Sequence, residues 1–441
     1  MSSTANAFLE GLSRCDVKRN GHHPGWLKGL RRSAFQWVVE QGFPTTKDEA
    51  WKYTRVGPIL EIPFEPAAPN TSRRLSAGAI AELAGDLGGA RLVVVNGYFV
   101  PELSSLKTLP AGVKVMGLAA ALARDEALLE PFLSRPFREQ PQAFTALSAA
   151  LAEDGALVQI PANTTIEEPI HLVFVSDTGA SHLVSHPRSL VLAGPGSRAT
   201  IVESYIGILG DVYLTNAVTD IVLDEGAVVE HYKLQNENQT AFHIALLDVR
   251  QGRGSRFSSH SLALGASTAR HEVRVRLEAE GAEVTLNGLY MPTNEQHLDN
   301  PTTIEHAAPR CTSRELYKGI INGHGRGSFD GQIIVRPGAF KTDASQTNKN
   351  LLLSESAQVD TRPRLQIFAD DVKCTHGAAV GQIDEDAVFY LRSRGVPRGA
   401  ARGILTYAFA SEMLGRLRVG ALRSHVERMV AGRLTGVRVA A

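Results

Sequence analysis

Cysteine is scarce in this chain, and its few cysteines stand far apart. Cys15, Cys311 and Cys374 are the only three in 441 residues. They form no Cys-x-x-Cys pair, and an odd number in a chain of this length does not suit a disulfide framework. We therefore expect the protein to work in a reducing compartment.

Net charge and long apolar runs are also lacking. Lysine plus arginine and aspartate plus glutamate both number 46, so no global field attracts nucleic acid or an anionic membrane. The first twenty residues hold no apolar signal segment, and no run of about 18 apolar residues occurs anywhere. These absences predict a cytoplasmic protein that binds neither nucleic acid nor membrane.

A nucleotide-binding motif is missing as well. The glycine-rich run NGHGRGS at 322–328 resembles a phosphate loop only superficially. It lacks the Gly-Lys-Ser/Thr ending and opens no helix, so a tight turn explains its glycines better. ATP hydrolysis is therefore not expected of this chain.

Helical patterns dominate the first third of the chain. In 24–41, apolar residues recur on one helical face between a proline at the start and Gly42 just past the end. In the next segment, GFPTTKDEAWKYT, the capping-box spacing of Thr46 and Glu49 predicts a short helix. Residues 1–154 are predicted to form a mostly helical domain.

Between 155 and 381 the pattern changes to short Val-, Ile-, Thr- and Leu-rich runs cut by turn residues. Turns written as Gly followed by Ala or Ser begin at Gly196, Gly226, Gly254, Gly281 and Gly327. The first three steps are about 27 to 30 residues and the fourth is about 46, as if one coil were skipped or enlarged. This period predicts a mainly β protein with a β-helix core, and a large double sandwich is the alternative.

Helical patterns return in 382–441. Asp384 is placed to cap a helix that ends at Gly395, and a second helix starts near Arg398. Its apolar face includes Phe409 and Met413. Such faces either pack on the end of the β region as a cap or dock a partner protein.

Two transition-metal ligands stand two residues apart near the end of the β region. Cys374 and His376 lie in FADDVKCTHGAAVG beside Asp370 and Asp371. On a strand, side chains at i and i+2 leave the same face, so a thiolate and an imidazole could reach one zinc, iron or iron-sulfur cluster. The alternative is a small buried cysteine beside a hydrogen-bonded histidine. Two ligands do not complete a tetrahedral site, so others must come from elsewhere in the chain or from a partner.

Three segments of the chain resemble the SufB/SufD family of the SUF iron-sulfur cluster assembly system, and its SufD branch most. They are GFPTTKDEAWKYT, VFYLRSRG at 388–395, and the long block GAFKTDASQTNKNLLLSESAQVDTRPRLQIFADDVKCTHGAAVGQID at 338–384. The resemblance implies a right-handed parallel β-helix core, 155–381, flanked by N-terminal and C-terminal helical domains. It agrees with the fold that the repeat predicts.

The resemblance also implies a non-catalytic scaffold. Its β-helix would pair with a SufB-like protein, and its C-terminal helices would dock the ATPase SufC, with Tyr390, Arg394, Phe409 and Met413 as candidate contacts. His376 would face SufB with Cys374 beside it, and iron or an iron-sulfur cluster would bind transiently at that interface. Reduced flavin could supply electrons in the complex. Cys15 is the only cysteine in the N-terminal region. The chain therefore lacks the cysteine-rich motif that SufB has in this region.

Other states and functions stay open at this stage. The chain alone could form a homodimer, because β-helix edges that pair with a partner can also pair with themselves. A carbohydrate-active β-helix enzyme would use acidic side chains, but the acidic residues of the β region show no paired spacing: Asp220, Asp224, Glu230, Asp248 and Glu278. A purely structural solenoid without a metal site is the third interpretation.

Overall fold

The computed structural model describes residues 3–13, 24–69, 75–106, 109–179, 182–208, 210 and 212–435. Cys15 lies outside them. Helices occupy the two ends of the chain: α1 Ser3–Ser13, α2 Gly25–Gln41, α3 Gly57–Leu60, α4 Ala77–Ala84, α5 Leu118–Arg124, α6 Glu126–Glu139, α7 Ala143–Leu151, α8 Glu385–Ser393, α9 Arg398–Leu414 and α10 Gly420–Thr435.

Strands fill the middle of the chain. They are β1 Glu65–Pro66, β2 Ala90–Val95, β3 Tyr98–Phe99, β4 Lys114–Gly117, β5 Gly155–Ile160, β6 Ile170–Ser176, β7 Leu183–Ser185, β8 Arg188–Ala193, β9 Arg198–Gly207, β10 Tyr213–Leu223, β11 Val228–Asn236, β12 Phe242–Gln251, β13 Arg256–Ala263, β14 Thr268–Leu277, β15 Glu283–Tyr290, β16 His297–His306, β17 Thr312–Ile321, β18 Arg326–Val335, β19 Asp343–Leu352, β20 Gln358–Ile367 and β21 Lys373–Gln382.

From β8 onward, successive strands alternate between two sheets. Even-numbered strands run in the order β8 to β20 in the first sheet, and odd-numbered strands run from β9 to β21 in the second. Each strand pairs in parallel with the strand one coil away, as Arg256 with Glu283 and Glu283 with Thr312. The result is a β-solenoid of about seven turns with helices at both ends, which confirms the predicted β-helix architecture.

One corner of every coil is a residue with positive φ. Gly196, Gly226, Gly254 and Gly281 hold this corner with φ of 59° to 75°, a region that glycine enters without steric cost. Each backbone N–H at the corner donates to the next coil, as Gly254 does to the carbonyl of Glu280 at 3.0 Å.

In the last coils, residues other than glycine occupy the same corner. Arg310, Lys341 and Asp371 hold it with φ of 56°, 59° and 55°, and the N–H of Arg310 donates to Phe340. Gly327 is instead a residue within β18. The inference of a skipped or enlarged coil was therefore wrong: the period is regular, but a search for glycine cannot find corners that non-glycine residues occupy.

The solenoid interior is apolar with polar side chains that pair among themselves. The apolar cluster runs from Leu92 to Ala357 along the whole stack. Within it, His243 contacts Glu237 at 2.8 Å, and the ammonium of Lys233 lies 4.6 Å from the ring centroid of Tyr205. Burial lowers the pKa of Lys233 to about 8.

The N-terminal region packs against the first sheet and extends both sheets. Strand β2 pairs with β6, and β4 pairs with β5. Trp51 stacks on Phe144 of α7, with 5.5 Å between ring centroids, and the guanidinium of Arg270 lies 4.1 Å from the Trp51 ring. Thr54 donates a 2.5 Å hydrogen bond to Asp299. The division of the chain at 154 and 381 stays a prediction.

The predicted capping box is not formed. A 3₁₀ turn, Glu49–Trp51, stands where the short helix was expected. Asp48 precedes it, and its carboxylate accepts a 2.7 Å hydrogen bond from the N–H of Thr45. The turn is stabilised by this local bond and by packing of Trp51, so Thr46 has no capping role.

The C-terminal helices cover the second sheet. Asp384 caps α8 by accepting hydrogen bonds from Asp386 and Ala387 at 2.9 and 3.4 Å, as predicted. The apolar faces of α9 and α10 pack with Leu234, Leu262 and other residues of the odd-numbered strands. No helix in the described ranges is long and apolar enough to cross a membrane.

Candidate metal and partner site at the last coil

The two ends of the solenoid are finished differently. At the first end, the antiparallel strands β3 and β4 close the two sheets. At the other end, β20 and β21 are the outermost strands, and no strand of the described residues pairs with their outer edges. Unpaired backbone N–H and C=O groups on such an edge are a template for a strand from another chain.

Cys374 and His376 both lie on β21. They pair with Ala344 and Gln346 of β19, so they share the strand face that continues the solenoid interior. Cys374 is partly buried and packs against the interior core, whereas His376 is exposed. Burial and the charge of Asp343 raise the pKa of the Cys374 thiol. The predicted placement of both side chains on one face of a strand is therefore observed.

A polar column lies beneath His376 in the solenoid. Gln346 pairs with His376 on one side and with Glu315 of β17 on the other. The Gln346 amide donates a 2.6 Å hydrogen bond to Glu315, and burial raises the pKa of that carboxyl to about 7. Sequence reasoning missed Glu315 and Gln346, although stepping back from His376 by coils of about 30 residues leads to both.

The other ligand candidates nearby are otherwise occupied. Asp371 is a corner residue that pairs with Lys341 at 2.5 Å, and Cys311 is buried with its thiol on the carbonyl of Ala279. In the part of the chain that the structure describes, no group of three His, Cys, Asp or Glu side chains could hold a metal ion. Cys374 and His376 are thus two candidate ligands, and a metal site would need further ligands from outside this group.

Three other histidines of the β region are buried and serve the fold. His171, His231 and His306 are buried and contact Ser204, Ser259 and Ser313 at 2.8 to 2.9 Å. Burial lowers the pKa of His171 to about 3 and that of His306 to about 4, so both are neutral.

The four candidate partner contacts fall into two classes. Tyr390 and Arg394 are exposed on α8 and after it, with the guanidinium 4.5 Å from the tyrosine ring. Met413 is buried against the second sheet, and Phe409 is partly buried under Lys318. Phe389 and Ile404 on the same helices are also exposed. Phe389 escaped sequence reasoning because exposure on a helix depends on its neighbours.

Exposed apolar side chains concentrate at this end of the molecule. Nine large ones are exposed among the described residues, and seven of them lie from Phe340 onward. They divide into a group on the last coil and a group on α8 and α9: Phe340, Ile367, Phe368 and Val380, then Phe389, Tyr390 and Ile404. Exposed apolar groups of this kind mark protein contact surfaces.

One acidic pair is adjacent after all. Asp220 and Asp248 are partners in the β10–β12 register. Asp220 is fully buried against Arg188 at 2.8 Å, and burial with the charge of Asp220 raises the pKa of Asp248 to about 6. The cavity beside Asp248 measures about 40 Å³, which holds a water molecule but no sugar ring. This geometry does not favour a glycosidase.

The chain matches two family models along most of its length. Residues 174–409 match the model described as SUF system FeS cluster assembly, SufBD core domain, and residues 9–172 match the SufBD protein N-terminal region. The chain belongs to the SufBD family. The resemblance noted from the sequence motifs is thereby confirmed.

Three relatives match nearly the whole chain. The iron-sulfur cluster assembly protein SufD of Escherichia coli (strain K12) is 33% identical over 94% of this chain and 96% of its own length. An iron-sulfur cluster assembly SufBD family protein of Synechocystis is 32% identical over 94% of this chain and 92% of its own length. SufD of Bacillus subtilis is 24% identical over 92% of this chain.

Proposed function

We propose that this SufD-like chain is a non-catalytic scaffold subunit of an iron-sulfur cluster assembly complex. Its last coil pairs with a SufB-like subunit, and its C-terminal helices dock the ATPase SufC. The observation that carries the proposal is the unpaired end of the solenoid, where the sheet edges, Cys374 and His376 meet. The names of its relatives and its family support the assembly role.

Backbone hydrogen bonding explains how the partner binds. In a parallel sheet, alternate residues of a strand turn their N–H and C=O groups to opposite neighbours. The N–H of Lys373 donates to the carbonyl of Thr342 in front of β19. The backbone N–H and C=O groups of the even-numbered residues of β21, including Ala378, therefore point away from β19. A strand of the SufB-like subunit bonds to these groups, and Val380 and Ile367 supply apolar contact.

Iron or an iron-sulfur cluster is the cargo at this interface. Cys374 and His376 supply two ligands of the types that iron and its clusters accept, and the SufB-like subunit supplies the rest. The shared site contributes to iron acquisition. Reduced flavin is the proposed electron source in the assembled complex.

The ATPase acts through the helices. Asp384 caps α8 immediately after β21, so movement of α8 and α9 acts on the same strand that carries Cys374 and His376. ATP hydrolysis belongs to SufC in this scheme, because the sequence has no P-loop. We place the complex in the cytoplasm, and without its partners the chain uses the same edges to form a homodimer.

The pairing is tested by one backbone substitution and its matched control. Ala378→Pro removes an outward N–H, whereas Ala378→Gly at the same position keeps it. Co-purification with tagged SufB-like and SufC-like proteins is the measurement. We expect Ala378→Pro to lose the SufB-like subunit and retain the ATPase, and Ala378→Gly to retain both. Equal recovery of the SufB-like subunit with both variants would exclude pairing through β21.

A further inference from the structure

A cavity of about 230 Å³ lies away from the last-coil edge, and four smaller ones in the described part of the chain measure about 10 to 40 Å³. The large cavity is a cleft between the odd-numbered strands and the helices α9 and α10, partly open to solvent. Both layers contribute apolar walls: Met291, Ile320, Leu353, Ile383 and Leu434. A space of this size is filled by more than one water molecule.

One guanidinium in the cavity has no acidic partner in the described ranges of the chain. Arg433 of α10 lines the cavity and is partly buried, and none of the ion pairs among the described residues includes it. Among the described residues its hydrogen bonds are two long ones, both 3.5 Å, to the carbonyl of Met291 and the side chain of Asn236. Arginine keeps its charge in proteins, so an anion is the expected counterpart.

A second arginine in the wall shows the contrast. Arg402 of α9 pairs with Glu385 at 2.9 Å and donates to the carbonyl of Leu353 at 3.3 Å. Its charge is therefore compensated within the chain. Arg433 is the cation that is left for a ligand.

Glycines on α9 leave the other side of the cavity open. Gly399 and Gly403 stand one turn apart and line the cavity, and a Cβ placed on either meets nothing within 4 Å. Glycine inside a helix is less stable than alanine. Gly399 and Gly403 therefore leave space in the cavity but lower the stability of the helix.

We propose that this cavity binds a small anionic amphiphile, whose carboxylate or phosphate head pairs with Arg433 and whose apolar body lies between Ile320, Leu353 and α9. Guanidinium recognises both head groups by paired hydrogen bonds. The volume lies below the roughly 300 to 1,000 Å³ of drug-sized sites, so the body is short. The ligand touches both layers and therefore strengthens the attachment of α9 and α10 to the solenoid.

Octanoate, octyl phosphate and neutral 1-octanol are the probes, titrated calorimetrically into the full-length chain. We expect saturable binding of at least one anion, and binding of 1-octanol at least about tenfold weaker, because a hydrogen bond to a charged group is lost. Comparison of octanoate with octyl phosphate distinguishes a carboxylate from a phosphate ligand. No saturable binding of either anion, or equal binding of 1-octanol, would overturn the proposal.

Two variants locate the site. Arg433→Met should weaken binding of the anion about tenfold or more, and Gly403→Phe should abolish it by filling the cavity. Gly29→Phe is the matched control, because Gly29 is also helical and exposed with nothing within 4 Å of a Cβ. Gly403→Phe tests the site even if Arg433→Met does not fold. Unchanged affinity in a folded Gly403→Phe would place the binding elsewhere and refute the assignment.

Discussion

Gln346 lies directly beneath His376 in the β19–β21 register and donates a 2.6 Å hydrogen bond to the buried carboxyl of Glu315. The exposed histidine at the end of the solenoid is thus the top of a polar column that reaches into the core. Cys374 stands in the neighbouring column, above Ala344. The last coil therefore joins an open sheet edge, two candidate metal ligands and a buried acid.

The column predicts a pH dependence of stability. Burial raises the pKa of Glu315 to about 7, so the folded chain keeps this proton between its ordinary pKa of 4.5 and 7 while the unfolded chain loses it. The free energy of unfolding therefore falls as the pH rises through this window, by on the order of 3 kcal/mol. Glu315→Gln removes this loss, because the amide has no proton to release.

Chemical denaturation at pH 5 and pH 8 checks this prediction. Glu315→Gln should match the parent protein at pH 5 and exceed its stability at pH 8. Glu283 is exposed, so Glu283→Gln serves as the control. It should show the same difference in stability between pH 5 and pH 8 as the parent protein. If Glu315→Gln were no more stable than the parent at pH 8, deprotonation of the buried Glu315 carboxyl would not lower the stability of the fold.

The glycine corner predicts a conformational cost. Gly254 has φ of +59°, and a Cβ there meets nothing within 4 Å, so Gly254→Ala introduces backbone strain without a clash. We expect the free energy of unfolding to fall by about 1 kcal/mol. Gly420→Ala at the start of α10 also meets nothing and has no positive φ, so it should not destabilise. If the two substitutions lowered the free energy of unfolding in urea equally, the positive φ at Gly254 would not be the cause of the destabilisation.

The helices predict a separation between docking and folding residues. Phe389 is 70% exposed and Met413 is 3% exposed. Phe389→Ala should weaken binding of the ATPase about tenfold or more and leave the melting temperature unchanged. Met413→Ala should instead destabilise the fold by about 2 to 5 kcal/mol. Surface plasmon resonance and calorimetry measure the two effects, and a Phe389→Ala variant with full affinity would exclude α8 from the docking surface.

Local patterns predicted most of the fold. The helix starting after Asp384 and the coil period both follow from short-range preferences that the structure keeps. The corners at Arg310 and Lys341 could not be found in this way, because tertiary hydrogen bonds hold non-glycine residues at positive φ.

The site was predictable only in part. Spacing alone put Cys374 and His376 on one face of a strand, since side chains alternate with period two. Glu315 needed the register between coils, and the exposure of Phe389 against the burial of Met413 needed the packing of α9 on the sheet. Which apolar face is covered is a property of the assembled layers and not of the helix sequence.

The proposed shared metal site is tested most directly in the assembled complex. The complex is reconstituted with SufB-like and SufC-like partners, and iron-sulfur cluster formation is followed by visible absorbance and iron content. The variants are Cys374→Ala and His376→Ala, with the exposed His324→Ala as control. We predict that the first two form intact complexes with strongly reduced cluster formation and that His324→Ala behaves as the parent. Parental cluster formation by the combined Cys374→Ala and His376→Ala variant would contradict a ligand role for this pair.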